Sequence, residues 1–321
     1  MSDMTMKSRT TDGGRTAAAC RLLILVCCGV VMPVAPAAAD KPSVYLYEDT
    51  KQLVALVEDA AVLVEAEGAQ AFGKFAVPGS HWFPDSSHYL FIYDTTGFCR
   101  FHPVNKALAG TNILHLKDLN GKPVIQDIVN IGLRQERTAS DWVFYLWEEG
   151  TQFTPQWKSS YIRKAVAPDG TVFIVGSGLY NIKVEREFVR ERVAMAAELL
   201  RSEGKEKAFA QFRDPATPFH FLNIHVFVWD NQGRCLVDPA YPTLSGRNLL
   251  PFRDAVDFPV VQEVLKKIAG SDEAWVQYLS PRPGTVMPTR KLLYARKVTV
   301  GQETFIVGAD FFIATPIWMK L

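Results

Sequence analysis

The chain has 321 residues, 48% hydrophobic and 21% charged, with a formal net charge of +1. That length is a soft prior for two domains, and the balance belongs to a folded globular protein rather than a disordered or fibrous one. Neither a basic excess nor a dense Lys/Arg stripe is present, so no nucleic-acid partner is expected.

The N-terminus reads separately from the rest. Residues 1–21 carry Lys7, Arg9, Arg15 and Arg21 against only Asp3 and Asp12, and an apolar run of 11 residues follows, Leu22 to Met32. Small residues then appear, Ala37-Ala38-Ala39. A charged start, a short apolar stretch and an A-x-A site predict a signal peptide over 1–39, cleaved near Ala39. The apolar run falls short of the roughly 20 residues a spanning helix needs, and an uncleaved anchor is the alternative. Val26 precedes Cys27, where a lipoprotein site wants a small residue. The chain is therefore expected to be periplasmic or secreted. Cleavage leaves Asp40–Leu321 with a net charge of −1, which gives no attraction to an anionic membrane surface. It also leaves two of the five cysteines, Cys99 and Cys235. With no C-x-x-C and no His at ligand spacing, neither a metal nor another cofactor is expected.

The remaining chain is a tandem repeat, predicted as modules over 40–183 and 184–321. Each copy opens with an amphipathic helix: Leu53, Leu56, Val57, Ala60, Val64 and Ala71 in the first, and Phe188, Val193, Ala196, Ala197, Leu199, Leu200 and Phe209 in the second. Next come strand, turn and strand. Tyr89–Tyr93, Asp94-Thr-Thr-Gly97 and Phe98–Phe101 correspond to Ile224–Trp229, Asp230-Asn-Gln-Gly233 and Arg234–Val237. From Gly97 to Leu114 the chain aligns without gaps on Gly233 to Leu250, with 7 of 18 positions identical. Unrelated segments match at about one position in 18. Cys99 and Cys235 are equivalent here, one per core, so two free buried thiols are expected rather than a disulfide. A short helix follows, around Pro123–Gly132 and Pro259–Ala269. Three strands close each copy: Trp142–Trp147, Ser160–Ala165 and Thr171–Gly176, then Trp275–Leu279, Leu292–Val298 and Thr304–Gly308. Antiparallel strands crossed by a long N-terminal helix predict an α+β module, twice.

The first copy carries Asp94, Gly97, His102-Pro103, Leu108, Gly110, Asn112, Gly121-Lys122-Pro123, Tyr145, Trp147, Lys158, Tyr161, Gly176, Gly178 and Tyr180. This series resembles the Cache family of extracellular sensing domains, in its single-module form. The second copy departs from the pattern: Asp238-Pro239 stands for His-Pro, Ser280 for Trp147, and Gly308-Ala-Asp310 for Gly-x-Gly. The resemblance implies a PAS-like sheet with a pocket on one face for a small organic acid or an amino acid. Receptors of this kind set the module between membrane spans and follow it with a signalling domain. Neither feature is present here, which implies a free periplasmic sensor that reports to a membrane sensor kinase, chemoreceptor or transporter.

A carboxylate in an apolar pocket needs a few converging donors. The candidates are His102, Tyr145, Trp147, Lys158 and Tyr161 in the first copy, with Asp238, Tyr278, Lys291 and Tyr294 at the matching places in the second. Lys158 and Tyr161 would face opposite sides of one strand, so Lys158 is expected in the loop before it, curled over the pocket. Each candidate also has a structural reading, as a buried Tyr or His with a local partner or as an Asp capping a turn. No Gly-x-Ser-x-Gly, His-Glu-x-x-His or P-loop is present, so no catalysis is expected. The competing reading is a ligand-free interaction protein that docks on a membrane receptor or kinase. The long helices offer a surface for a homodimer.

Overall fold

The computed structural model describes residues 44–85, 87–148 and 154–313; the expected signal segment lies outside them. The first helix, α1, spans Glu48–Glu67. Leu53, Val57, Ala60, Ala61 and Val64 recur at three- and four-residue spacing and form its buried stripe. It stops at Gly68, whose positive φ of 62° turns the chain while its N–H caps the Val64 carbonyl. A single turn, α2 (Phe72–Phe75), extends the same apolar surface.

The first sheet contains β1 (Leu90–Asp94), β2 (Cys99–Phe101), β3 (Ser140–Trp147), β4 (Gln156–Val166) and β5 (Val172–Tyr180). Its strand order is β2-β1-β5-β4-β3, and neighbouring strands within it are antiparallel. Helix α3 (Val124–Gly132) lies between β2 and β3 in the chain. Then α4 (Arg186–Arg213) opens the second copy, followed by a two-strand hairpin, β6 (His220–Phe221) and β7 (Ile224–His225). The second sheet contains β8 (Phe227–Asp230), β9 (Cys235–Val237), β10 (Glu273–Pro281), β11 (Pro288–Val300) and β12 (Glu303–Phe312), with α5 (Val260–Gly270) before β10. Its order, β10-β11-β12-β8-β9, is that of the first sheet read from the other edge.

The repeat therefore reaches down to hydrogen bonds. Asp94 accepts the amides of Thr96 and Phe98, and Asp230 accepts those of Gln232 and Arg234, so both hairpins close in the same way. A bulge falls at Ile92/Tyr93 and again at Val228/Trp229. Asp118 ties its own loop to β3 through the Leu146 amide, and Asp254 does the same to β10 through Leu279. Gly176 and Gly308 each leave room for an aromatic ring, Phe91 and Phe227; a Cβ there would come within 2.4 and 2.5 Å of it.

Each sheet has two buried faces. The helix faces share one continuous core that runs through both copies, from α1 through Trp142, Phe144 and Phe188 to Phe221 and Tyr294. Phe188 of α4 packs on Trp142 and Phe144 of β3 with ring centroids 4.7 and 5.1 Å apart. Arg192 of α4 donates to the Trp142 carbonyl and pairs with Asp141 at 3.2 Å. Helix α4 bends where Gly204 takes φ 79°, ψ 170°, and beyond that bend Ala208 and Phe212 are buried too. The opposite faces have separate cores: Tyr89, Phe91, Tyr93 and Cys99 under α3, and Phe227, Trp229 and Cys235 under α5. The two cysteines are free and buried, one in each of these cores.

Candidate ligand-binding site

Strand alternation decides which side chains meet. In β4, Lys158, Ser160 and Ile162 face the α3 side, while Trp157 and Tyr161 face the helix core. Lys158 lies inside β4, paired across to Tyr145 and Tyr180, and not in a preceding loop. The strand begins at Gln156, two residues before it, so no turn is left to bring it round to the side of Tyr161. Tyr161 instead stacks near Trp142 and donates to Glu58 of α1 at 2.8 Å. Tyr294 of the second copy likewise packs on Trp275, and it donates to Glu273 of β10. The expectation that Tyr161 and Tyr294 share a pocket with the lysines is thus corrected: they belong to the opposite face.

The remaining first-copy candidates converge. Lys158 is only 2% exposed, and its Nζ donates to the Tyr89 hydroxyl at 2.8 Å. The same ammonium stands 4.7 Å from the centre of the Tyr89 ring and 4.9 Å from that of Tyr180. Tyr145 hydrogen bonds with Ser160 at 2.9 Å and meets the Trp147 ring edge-on at 5.5 Å. His102 packs on Tyr89 with centroids 5.0 Å apart. Its Nδ1 accepts the Asn105 amide at 3.0 Å, which leaves the neutral ring's proton on Nε2 as a donor. Burial, helped by the nearby Lys158 charge, pushes His102 down to about 4, and burial pushes the Tyr89 phenol up to about 12. At neutral pH the cluster therefore presents an ammonium, an imidazole N–H and phenolic hydroxyls. That set can hold an anionic oxygen.

In the second copy Tyr278 and Lys291 are cross-strand partners, as Tyr145 and Lys158 are in the first. Lys291 is paired with Asp310 at 2.6 Å, and Tyr278 donates to the other oxygen of that carboxylate. Asp238 accepts the amide three residues on, from Tyr241 at 2.9 Å, just as His102 does from Asn105. Both residues at this place therefore cap a turn. Burial raises the Asp238 carboxyl above its ordinary range, and the neighbouring Asp310 charge acts in the same direction.

Several contributors are not among the site candidates read from the sequence. Tyr89 accepts a hydrogen bond from Lys158, and Tyr180 lies across from Lys158 in β5, where the β4–β5 register is the signal that finds it. Lys122 of the Gly-Lys-Pro turn is buried and ties the copies together, donating to the Phe144 carbonyl at 2.7 Å and the His220 carbonyl at 3.0 Å. It lines a cavity of about 160 Å³ with Asp127, Asp141 and Arg192. Burial raises Asp127 there to about 6 and lowers Lys122 to about 8. Among the described residues, no group of three or more His, Cys, Asp or Glu could hold a metal ion.

Solved structures similar to this chain include a Cache chemosensory domain that recognises carboxylic acids. It is 18% identical, covers 40% of this chain and 92% of its own, and has a TM-score of 0.35. A methyl-accepting chemotaxis protein from Vibrio parahaemolyticus RIMD 2210633 is 20% identical over 41% of this chain and 88% of its own, with a TM-score of 0.32. The ligand-binding domain of the Pseudomonas fluorescens chemoreceptor CtaA, in complex with L-alanine, is 13% identical over 83% of this chain and 92% of its own, with a TM-score of 0.30. A family model for the Cache domain matches residues 83–185 and 190–300, one segment in each copy. The chain belongs to the Cache domain family, in its double form.

Proposed function

We propose that this protein is an exported sensor of a small organic acid or amino acid, with the ligand's carboxylate held in the first module by Lys158, Tyr145 and His102. The observation that carries this reading is the convergence of a buried ammonium, an imidazole N–H and phenolic hydroxyls on one face of the sheet. An apolar site with a few aimed donors is what orients a small anion. Carboxylic-acid recognition by a similar Cache chemosensory domain, and L-alanine bound to a similar chemoreceptor domain, fall within this class of ligand. The protein acts by binding and not by catalysis. It works in the periplasm or outside the cell, and it passes its state to a membrane kinase, chemoreceptor or transporter. Among the described residues, no helix is long and apolar enough to cross a membrane.

The test is a thermal-shift screen of the exported chain against small carboxylates, amino acids and amines. A ligand at about 100 times its dissociation constant stabilises the fold by about 2.7 kcal/mol, which raises the melting temperature measurably. Lys158→Met should abolish the response to the acid that gives it. An acid whose affinity is unchanged by Lys158→Met would sink the assignment of the site. Amines that bind while acids do not would sink the ligand class.

A further inference from the structure

The second module carries its own carboxylate where the lysine and tyrosine of the site meet. One Asp310 oxygen lies 2.6 Å from Lys291 Nζ, and the other accepts from the Tyr278 hydroxyl. Strand register locates the difference between copies. Asp310 pairs with Leu293 in β12 and β11, and the matching pair in β5 and β4 is Gly178 with Ser160. The first copy thus has no side chain where the second has an acid. An aspartate side chain beyond its Cα is chemically an acetate, and this one is anchored by both of its oxygens. Lys291 is buried, so the two groups an incoming acid would use are already engaged inside the protein. Asp238, at the place of His102, adds a second carboxylate to that face, and its interaction with Asp310 is repulsive.

We propose that Asp310 is a built-in ligand: its carboxylate occupies in the second module the place that a bound acid takes in the first, which closes the second site to acids and leaves acid sensing to the first. The equivalence with the first site rests on the reading given above for Lys158. The filling of the Lys291–Tyr278 pair by Asp310 does not.

The experiment is rescue by the missing piece. Asp310→Gly installs the first module's residue and leaves Lys291 buried without its counter-charge, so the variant should melt lower than the wild type by about 5 °C or more. Sodium acetate, titrated from about 1 to about 100 mM against sodium chloride of equal ionic strength, should restore the melting temperature of the variant and leave the wild type where chloride leaves it. The double variant Lys291→Met/Asp310→Gly should not respond to acetate. Asp310→Ala, which keeps a Cβ in the strand, is read by the same titration should the glycine variant fail to fold. Acetate that moves Asp310→Gly and Asp310→Ala no more than chloride does would overturn the proposal, as would rescue that persists in the double variant. Loss of the wild-type acid response on Lys158→Met, with no acetate rescue of the Asp310 variants, would leave the first-module reading standing and remove this one. Acetate rescue without any acid binding by the wild type would do the reverse.

Discussion

The two sheets agree on one face and differ on the other. On the helix side, Trp142 and Tyr161 recur as Trp275 and Tyr294, although the glutamate that accepts from the tyrosine comes from α1 in the first copy and from β10 in the second. On the α3 and α5 side, the lysine and its partner tyrosine persist, but their surroundings change. His102 becomes Asp238, Trp147 becomes Ser280, Gly178 becomes Asp310 and Tyr180 becomes Phe312. What the sheet needs in order to pack was kept in both copies, while the shell around the lysine was rewritten in one. The divergence is therefore chemical and not architectural, and it can be probed one residue at a time.

The broadest attempt to break the comparison is to ask whether the copies are separate bodies at all. Phe188 is fully buried between β3 and the second module's core. Phe188→Ala should cost about 3–5 kcal/mol and shift a single urea transition as a whole. Two transitions by tryptophan fluorescence, with only one displaced, would show that the copies unfold independently.

A second test uses the opposite pH responses of the paired residues His102 and Asp238. The folded His102 titrates at about 4, below the 6.5 of a free imidazole, so the unfolded chain takes up the proton first. Stability attached to His102 is present above pH 6.5 and is lost as pH falls towards 4, by up to about 3 kcal/mol from linkage. Asp238 is raised, so its contribution is full at low pH and disappears as pH rises through its folded value. Melting curves of His102→Asn should flatten the acid-side decline. Asp238→Asn should gain stability at neutral pH and lose that gain on acidification. Slopes of the same sign for both variants would refute the assignment.

The smallest effect sharpens the face assignment. Tyr161→Phe removes one hydrogen bond to Glu58, worth about 1 kcal/mol, and should leave ligand affinity unchanged. A loss of affinity on calorimetric titration would return Tyr161 to the site.

Much of this was legible in the sequence because it depends on local rules. Alternating strands, the Asp-x-x-Gly turns and the repeat offset place the elements of both copies within a few residues. The error at Tyr161 came from starting β4 too late. The strand begins at Gln156, Lys158 is part of it, and three residues along a strand reverses the face. The change from Gly178 to Asp310 was visible as a departure, but its meaning depends on the register between β11 and β12, which no single stretch of chain contains. In the sequence Lys122 stands out only as part of Gly121-Lys122-Pro123. Its partners, Phe144 and His220, lie 22 and 98 residues away, and such contacts follow from packing rather than pattern.

The core shared by the two helix faces has a consequence for inheritance. A cut between the copies would strip cover from Trp142 and Phe144 on one fragment and from Phe188 and Phe221 on the other, exposing an aromatic patch of the kind that drives aggregation. Recombination could therefore not trade one copy for a foreign domain without also supplying a matching apolar seam. The pair, rather than the module, is the piece that evolution can move.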